Sequence, residues 1–187
     1  MHPRIQQVLD LIDEQYQALR AAADAVPAGH REHQPAGGGW SVAQVIEHVS
    51  KVENVMAERV TQALAEARAG GVGPETETAP LDTSGHFARV ADRSQKRVAP
   101  ERAHPAPDAR YDSARAALDA AHQRAVQAFA AGDGVALAQV EMAHPALGPL
   151  NLYQWGVSAA AHEARHAAQI REIAATLASP DEPAAAS

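Results

Sequence analysis

Apolar residues recur at intervals of three and four in several long stretches, and this spacing limits the fold more than any other feature of the chain. In the first stretch the recurring positions are Ile5, Val8, Leu9, Ile12, Tyr16 and Leu19. Side chains at this spacing share one side of an α-helix. Runs of Val, Ile and Thr that alternate with polar residues are missing from the sequence, so strands have little to build on. The sequence therefore predicts an all-α fold.

Four long helices are predicted, at about 3–25, 41–69, 113–130 and 150–178. The second begins at Ser41, a favourable N-cap, and Gln44 stands three positions later, as in a capping box. Residues from about 70 to 110 are rich in Gly, Pro, Thr and Ser, with a short helix expected through Phe87, Val90, Ser94 and Val98. So long a connection lets the second and third main helices run parallel. We expect a four-helix bundle with a long crossover connection between them.

The length of 187 residues fits one domain with a proper core. We expect a single helical domain over 1–178. The last nine residues, 179–187, contain two prolines and three consecutive alanines, and we expect a disordered tail there.

The composition excludes several classes of protein. Lysine and arginine total 16 against 23 acidic residues, for a net charge of −7, and the basic residues are scattered, which argues against nucleic-acid binding. No apolar run approaches the ~20 residues that span a bilayer, and the N-terminus shows no signal-peptide pattern. We expect a soluble, cytoplasmic protein without a membrane partner. The chain has no cysteine, which excludes a disulfide framework and a thiolate zinc site.

His162 and His166 are four residues apart in the last predicted helix and fall within the same apolar arc. Their side chains point about 40° apart around the helix and are separated by ~6 Å along its axis. This arrangement suits two ligands of one metal ion. Burying two unpartnered imidazoles would cost a few kcal/mol, a cost that a metal ion removes. The alternative is that both are core residues bonded to carbonyls or to each other.

His48 borders the apolar stripe of the second helix and is the candidate third ligand. Alone, it would be interpreted as a core histidine; with the pair, it completes three neutral imidazoles with an open coordination position, as in catalytic metal sites. His122 lies on the inner arc of the third main helix, where a packed core role is favoured over a fourth ligand or proton shuttle. His144 and His104 precede prolines in loops. His2, His30, His33 and His86 are expected to be solvated.

The segment His162-Glu163-Ala164-Arg165-His166 also matches the zinc peptidase pattern H-E-x-x-H, which would make Glu163 a general base and a candidate catalytic residue. The glycine and histidine of the metzincin extension are replaced by Gln169 and Glu172. The short remainder of the chain leaves no place for a distant glutamate ligand. The peptidase hypothesis is therefore the least favoured.

Two segments resemble the signatures of the DinB-like superfamily. The first is WSVAQVIEH, at 40–48, and the second is HPALGPLNLYQWGVSAAAHEARHAAQI, at 144–170. The resemblance implies a four-helix bundle with a three-histidine site that holds nickel, zinc or iron. It implies that His48, His162 and His166 are the ligands and that Gln44 and Gln169 are structural or support the ligands.

The resemblance also implies a function on a small-molecule substrate. Our leading hypothesis is a metal-dependent S-transferase that uses a low-molecular-weight thiol such as bacillithiol or mycothiol. The alternatives are a hydrolase that uses metal-bound water and a metal-binding stress protein without turnover. Alanine-rich outer helix faces are compatible with a homodimer.

Overall fold

The computed structural model describes residues 1–35, 37–94 and 97–178. Within these ranges the chain forms five α-helices and one two-stranded antiparallel sheet. The elements are α1 (Pro3–Asp24), α2 (Val42–Ala69), α3 (Ser84–Ala91), α4 (Tyr111–Ala130), β1 (Glu141–His144), β2 (Gly148–Asn151) and α5 (Leu152–Ala178). The prediction of a mostly helical chain is confirmed. The tail predicted at 179–187 lies outside the described residues.

The beginning of α2 has the capping box that the sequence predicts. The Ser41 hydroxyl accepts a hydrogen bond from the Gln44 backbone N–H at 3.2 Å, and the Gln44 side-chain oxygen accepts one from the Ser41 N–H at 3.0 Å. Two N–H groups that would otherwise lack partners are thereby satisfied. This fixes where α2 begins, two turns before His48.

The short helix in the connection ends earlier than the sequence pattern indicates. α3 ends at Ala91, because Asp92 leaves the helical conformation and its carboxylate accepts hydrogen bonds from the backbone and hydroxyl of Ser94. Such an Asp side chain competes with continuation of a helix. Ser94 and Val98 therefore lie outside the helix, and Val98 is exposed.

The hairpin of β1 and β2 corrects the all-α prediction. Met142 pairs with Leu150, so Leu150 belongs to a strand and not to the last helix. Each strand has only four residues, too few for alternation to show in the sequence. The last helix begins at Leu152 because the Asn151 side-chain Oδ1 accepts a hydrogen bond from the Gln154 backbone N–H at 2.9 Å. In return, the Gln154 side-chain Oε1 accepts one from the Asn151 backbone N–H at 3.0 Å.

The four long helices pack against one another in the pairs α2 with α4, α1 with α5, α2 with α5 and α1 with α4. Asn54 bonds Arg124, and further along both helices Arg68 bonds the Ala131 carbonyl, so α2 and α4 run parallel. α1 and α5 approach closely at Gly156, where an added Cβ would collide with Val8. Within the described part of the chain, no helix is both long and apolar enough to span a bilayer.

The apolar core consists of two clusters separated by a polar layer. One cluster includes Ile5, Val60, Phe129 and Leu152, and the other includes Leu19, Val45, Leu118 and Ile170. The buried polar residues between the clusters include His48 and Glu53 on α2, His122 on α4, and Glu163 and His166 on α5. Buried polar side chains are costly unless they have partners, so this layer is a candidate functional site.

Candidate metal centre

The three histidines singled out from the sequence come together between α2 and α5. The Nε2 atom of His162 lies 3.3 Å from Nε2 of His48 and 3.1 Å from Nε2 of His166. Their candidate ligand atoms all lie within 4.8 Å of one another. Among the described residues, no other group of three histidine, aspartate or glutamate side chains is arranged in this way.

The other ring nitrogens of two of these histidines are held by oxygen acceptors. Nδ1 of His48 lies 2.8 Å from the carbonyl of Ala103, and Nδ1 of His166 lies 2.8 Å from Oε1 of Gln169. A proton on each Nδ1 satisfies these oxygens and leaves a lone pair on Nε2. Hydrogen bonds of this kind orient imidazoles that ligate metals.

Protein hydrogen bonds alone leave the cluster unsatisfied. With the protons of His48 and His166 on Nδ1, two Nε2 lone pairs face the single Nε2 of His162, which can carry at most one proton. A divalent cation accepts all three lone pairs. Nitrogens about 2.0–2.1 Å from a tetrahedral zinc ion stand ~3.3 Å apart, close to the two separations measured from His162 Nε2. The three residues therefore fit a metal ion.

Burial keeps the three imidazoles neutral. It is the main cause that lowers the pKa of His48, lowers the pKa of His162 well below the ordinary value and lowers the pKa of His166 to about 3. The mutual repulsion of these side chains acts in the same direction on His162. Neutral imidazole is the form that binds metals.

The aromatic and polar surroundings of the cluster come from several elements. The Trp40 ring lies 4.8 Å from the His48 ring. Nε2 of His86 on α3 lies 2.7 Å from the hydroxyl of Ser158, one turn before His162 on α5. The expectation that His86 is solvated is therefore wrong. α3 has only eight residues, too few for a periodic pattern that would indicate this contact.

Glu163 faces Glu53, which sequence analysis did not single out. Both side chains are buried, Glu163 at 1% and Glu53 at 3% exposure. Apart from each other, their carboxyl oxygens have no hydrogen-bond partner among the described residues. Burial raises the pKa of Glu53 to about 7, and burial together with the neighbouring Glu53 raises the pKa of Glu163. The pair is most stable when it holds a proton. Glu163 is thus placed against α2, and this geometry gives no support to the peptidase hypothesis.

His122 lies outside the three-histidine cluster and packs against α1. Its ring stacks on Tyr16 at 3.7 Å, nearly parallel, and its Nε2 lies 3.5 Å from Asp13. Within the described residues it does not join the candidate ligands. This agrees with the packed role favoured from its position on the inner arc of the helix.

Comparisons with known proteins agree with this geometry. A family model described as the DinB superfamily matches residues 11–170, which include all three histidines. The chain is similar to the uncharacterized protein YuaE of Bacillus subtilis (strain 168), with 27% identity over 141 residues, which cover 75% of this chain and 80% of the relative. No solved structure gives a significant match.

Proposed function

The chain belongs to the DinB superfamily, and on that premise we propose that it binds one divalent metal ion through His48, His162 and His166 and uses it in an enzymatic reaction. The observation that carries the proposal is the convergence of three Nε2 atoms, with two of the rings held by acceptors on their far side. We take the four long helices as a four-helix bundle that places this site between α2 and α5.

The donor set limits the choice of metal. Three neutral imidazoles suit zinc, nickel or iron, and the chain has no thiolate to offer. No fourth protein ligand joins the cluster among the described residues, so a position remains for a substrate. When bound, such an ion supplies a Lewis acid that lowers the pKa of a thiol or water at that position.

We favour transfer of a low-molecular-weight thiol, of the bacillithiol or mycothiol type, to an electrophilic small molecule. The sulfur of R–SH attacks an electrophilic carbon of R′–X, forming R–S–R′ and releasing X with the proton as HX. The chain has no cysteine to act as the nucleophile, so a sulfur nucleophile has to come from a cosubstrate. Its own residues orient the site: Ala103 and Gln169 hold two imidazoles, and Trp40 shields one side of His48.

Metal content and activity can be measured on the same preparations. Protein purified without a histidine tag is analysed for its metals, then assayed with bacillithiol or mycothiol and monochlorobimane. We expect about one equivalent of metal and a rate above the thiol-only background. His162→Ala should lose both, and His33→Ala, which removes an exposed histidine outside the cluster, should lose neither.

Each outcome has a separate meaning. Metal in equal amount in His162→Ala would refute the ligand assignment. Metal binding with no thiol-dependent rate would refute the transferase and leave the metal site. A metal-dependent rate with chromogenic esters or amides, lost in His162→Ala, would favour a hydrolase instead.

A further inference from the structure

We propose that the site acts on a small molecule with an anionic group, and that Arg59 and Arg89 hold this group beside the face of α5 that carries the candidate ligands. The inference rests on the proposed function and names its substrate class. We call this surface the ligand face of α5, defined by Trp155, Ser158, His162 and His166, which recur at intervals of three and four.

Arg89 is linked to the ligand face through α3. Its Nη2 lies 3.4 Å from Nδ1 of His86, and Nε2 of His86 lies 2.7 Å from the Ser158 hydroxyl. Ser158 precedes His162 by four residues, which is ~6 Å along the helix. The exposed guanidinium of Arg89 is therefore linked, through His86 and Ser158, to the helical turn that precedes His162.

Arg59 reaches the same end of the ligand face from α2. Its guanidinium carbon lies 5.1 Å from the centre of the Trp155 ring, and its Nη2 donates to the Ala143 carbonyl at 2.9 Å. Trp155 precedes His162 by seven residues, ~10 Å along the helix. Stacking and one hydrogen bond fix the arginine and leave other N–H groups to bind a ligand.

Both arginines interact electrostatically with His144, whose ring lies 4.8 Å from the Trp155 ring. Burial lowers the pKa of His144 to about 4, and the charges of His86, Arg59, Arg97 and Arg89 add to this effect. The two arginines thus act on a common region at the N-terminal end of the ligand face.

No carboxylate in the described part of the chain compensates the charges of Arg59 and Arg89. In the described ranges neither arginine forms an ion pair, whereas Arg93 forms a bidentate pair with Glu172. The protein as a whole carries a net charge of −7, so the local charge at these two arginines is opposite in sign to that of the whole chain. Guanidinium groups bind carboxylate and phosphate through paired hydrogen bonds, which predicts an anionic ligand.

The test uses glutarate as the probe and its uncharged diamide as the reference, titrated calorimetrically into the protein with and without zinc. We expect glutarate to bind more tightly than the diamide. The double variant Arg59→Met, Arg89→Met should weaken glutarate binding by up to about 25-fold, since each charge near the surface contributes up to about fivefold. Arg124→Met removes one positive charge on α4, where the Arg124 side chain donates to Asn54, and should change glutarate affinity little.

The outcomes separate this inference from the metal function. Equal glutarate affinity in wild type and the double variant overturns the subsite, as does equal weakening in Arg124→Met. Zinc binding that persists in those experiments leaves the proposed function standing. Arginine-dependent glutarate binding by a protein that takes up no zinc supports the subsite and refutes the metal function.

Discussion

The Nε2 atoms of His48 and His162 lie 3.3 Å apart, although 114 positions separate these residues in the chain. The contact joins α2 to α5. A single proton on Nε2 of His162 cannot form hydrogen bonds with the Nε2 atoms of both His48 and His166. A cation shared by the three rings would connect the first half of the chain to its last helix. Metal binding would then stabilise the fold as well as supply chemistry.

Gln169 should tune metal affinity without touching the metal. Its side-chain oxygen lies 2.8 Å from Nδ1 of His166. Gln169→Leu removes this acceptor, and we expect metal affinity to fall about 10- to 100-fold, as is typical when a ligand's partner is lost. Gln169→Glu keeps an acceptor oxygen and should restore most of the affinity. Competition with a chelator measures both, and wild-type affinity in Gln169→Leu would show that the hydrogen bond is unimportant.

Metal affinity should depend little on pH between 8 and 6. The lowered pKa values of His48, His162 and His166 mean that protons bind these rings weakly, so protonation competes with metal only at lower pH. Three ordinary histidines with a pKa of about 6.5 would lose about 70-fold at pH 6. Cobalt titrations followed by visible absorption at pH 8, 7 and 6 measure the effect. A loss close to 70-fold would contradict burial as the controlling factor.

Glu53 should make the protein less stable as the pH rises. Its folded-state pKa of about 7 exceeds the ordinary value of 4.5, so the folded protein holds this proton more tightly than the unfolded chain. Stability from this group is complete below pH 4.5 and is lost as the pH rises through 7, by about 3 kcal/mol at most. Glu53→Gln should remove the share of this pH dependence that comes from Glu53 and leave the share of Glu163, whose pKa burial also raises.

Denaturant unfolding at pH 5 and pH 8 measures this difference in the free energy of unfolding. Glu58→Gln, which changes an exposed glutamate on the same helix, serves as the control and should behave as wild type. If Glu53→Gln kept the full pH dependence of wild type, another group would have to be its source.

Gly156 should be intolerant of a larger residue. A Cβ at this position would collide with a methyl group of Val8, and neighbouring Phe129 closes the other side. We expect Gly156→Ala to cost about 1–3 kcal/mol of stability, as overpacking does elsewhere. Gly85→Ala, with nothing within 4 Å of the added Cβ, should be neutral or slightly stabilising. Thermal unfolding compares them, and partial rescue of Gly156→Ala by Val8→Ala would identify the contact responsible.

The sequence predicted those features whose signals are local or periodic. Ser41 and Gln44 form the expected capping box because all its atoms lie within one helical turn. The spacing of His162 and His166 placed both on one helix face. His48 could be proposed as the third ligand because it borders the apolar stripe of the second helix. That stripe has to face the same core as the last helix.

The features that were missed depend on pairings between distant segments. Glu53 and Glu163 are 110 positions apart, and neither is unusual in its own helix. The hairpin at Met142 and Leu150 is too short for an alternating pattern. His86 was expected to be solvated because α3 has only eight residues, and its contact with Ser158 arises from the packing of α3 on α5.

The acceptor that orients His48 is a main-chain oxygen, contributed by Ala103 in the connection before α4. A carbonyl is present whatever side chain occupies that position. Many side chains of the connection can therefore be substituted, which would change the molecules that bind there, while the main-chain carbonyl still orients the His48 ring. Substitution there would alter selectivity sooner than it would disable the centre.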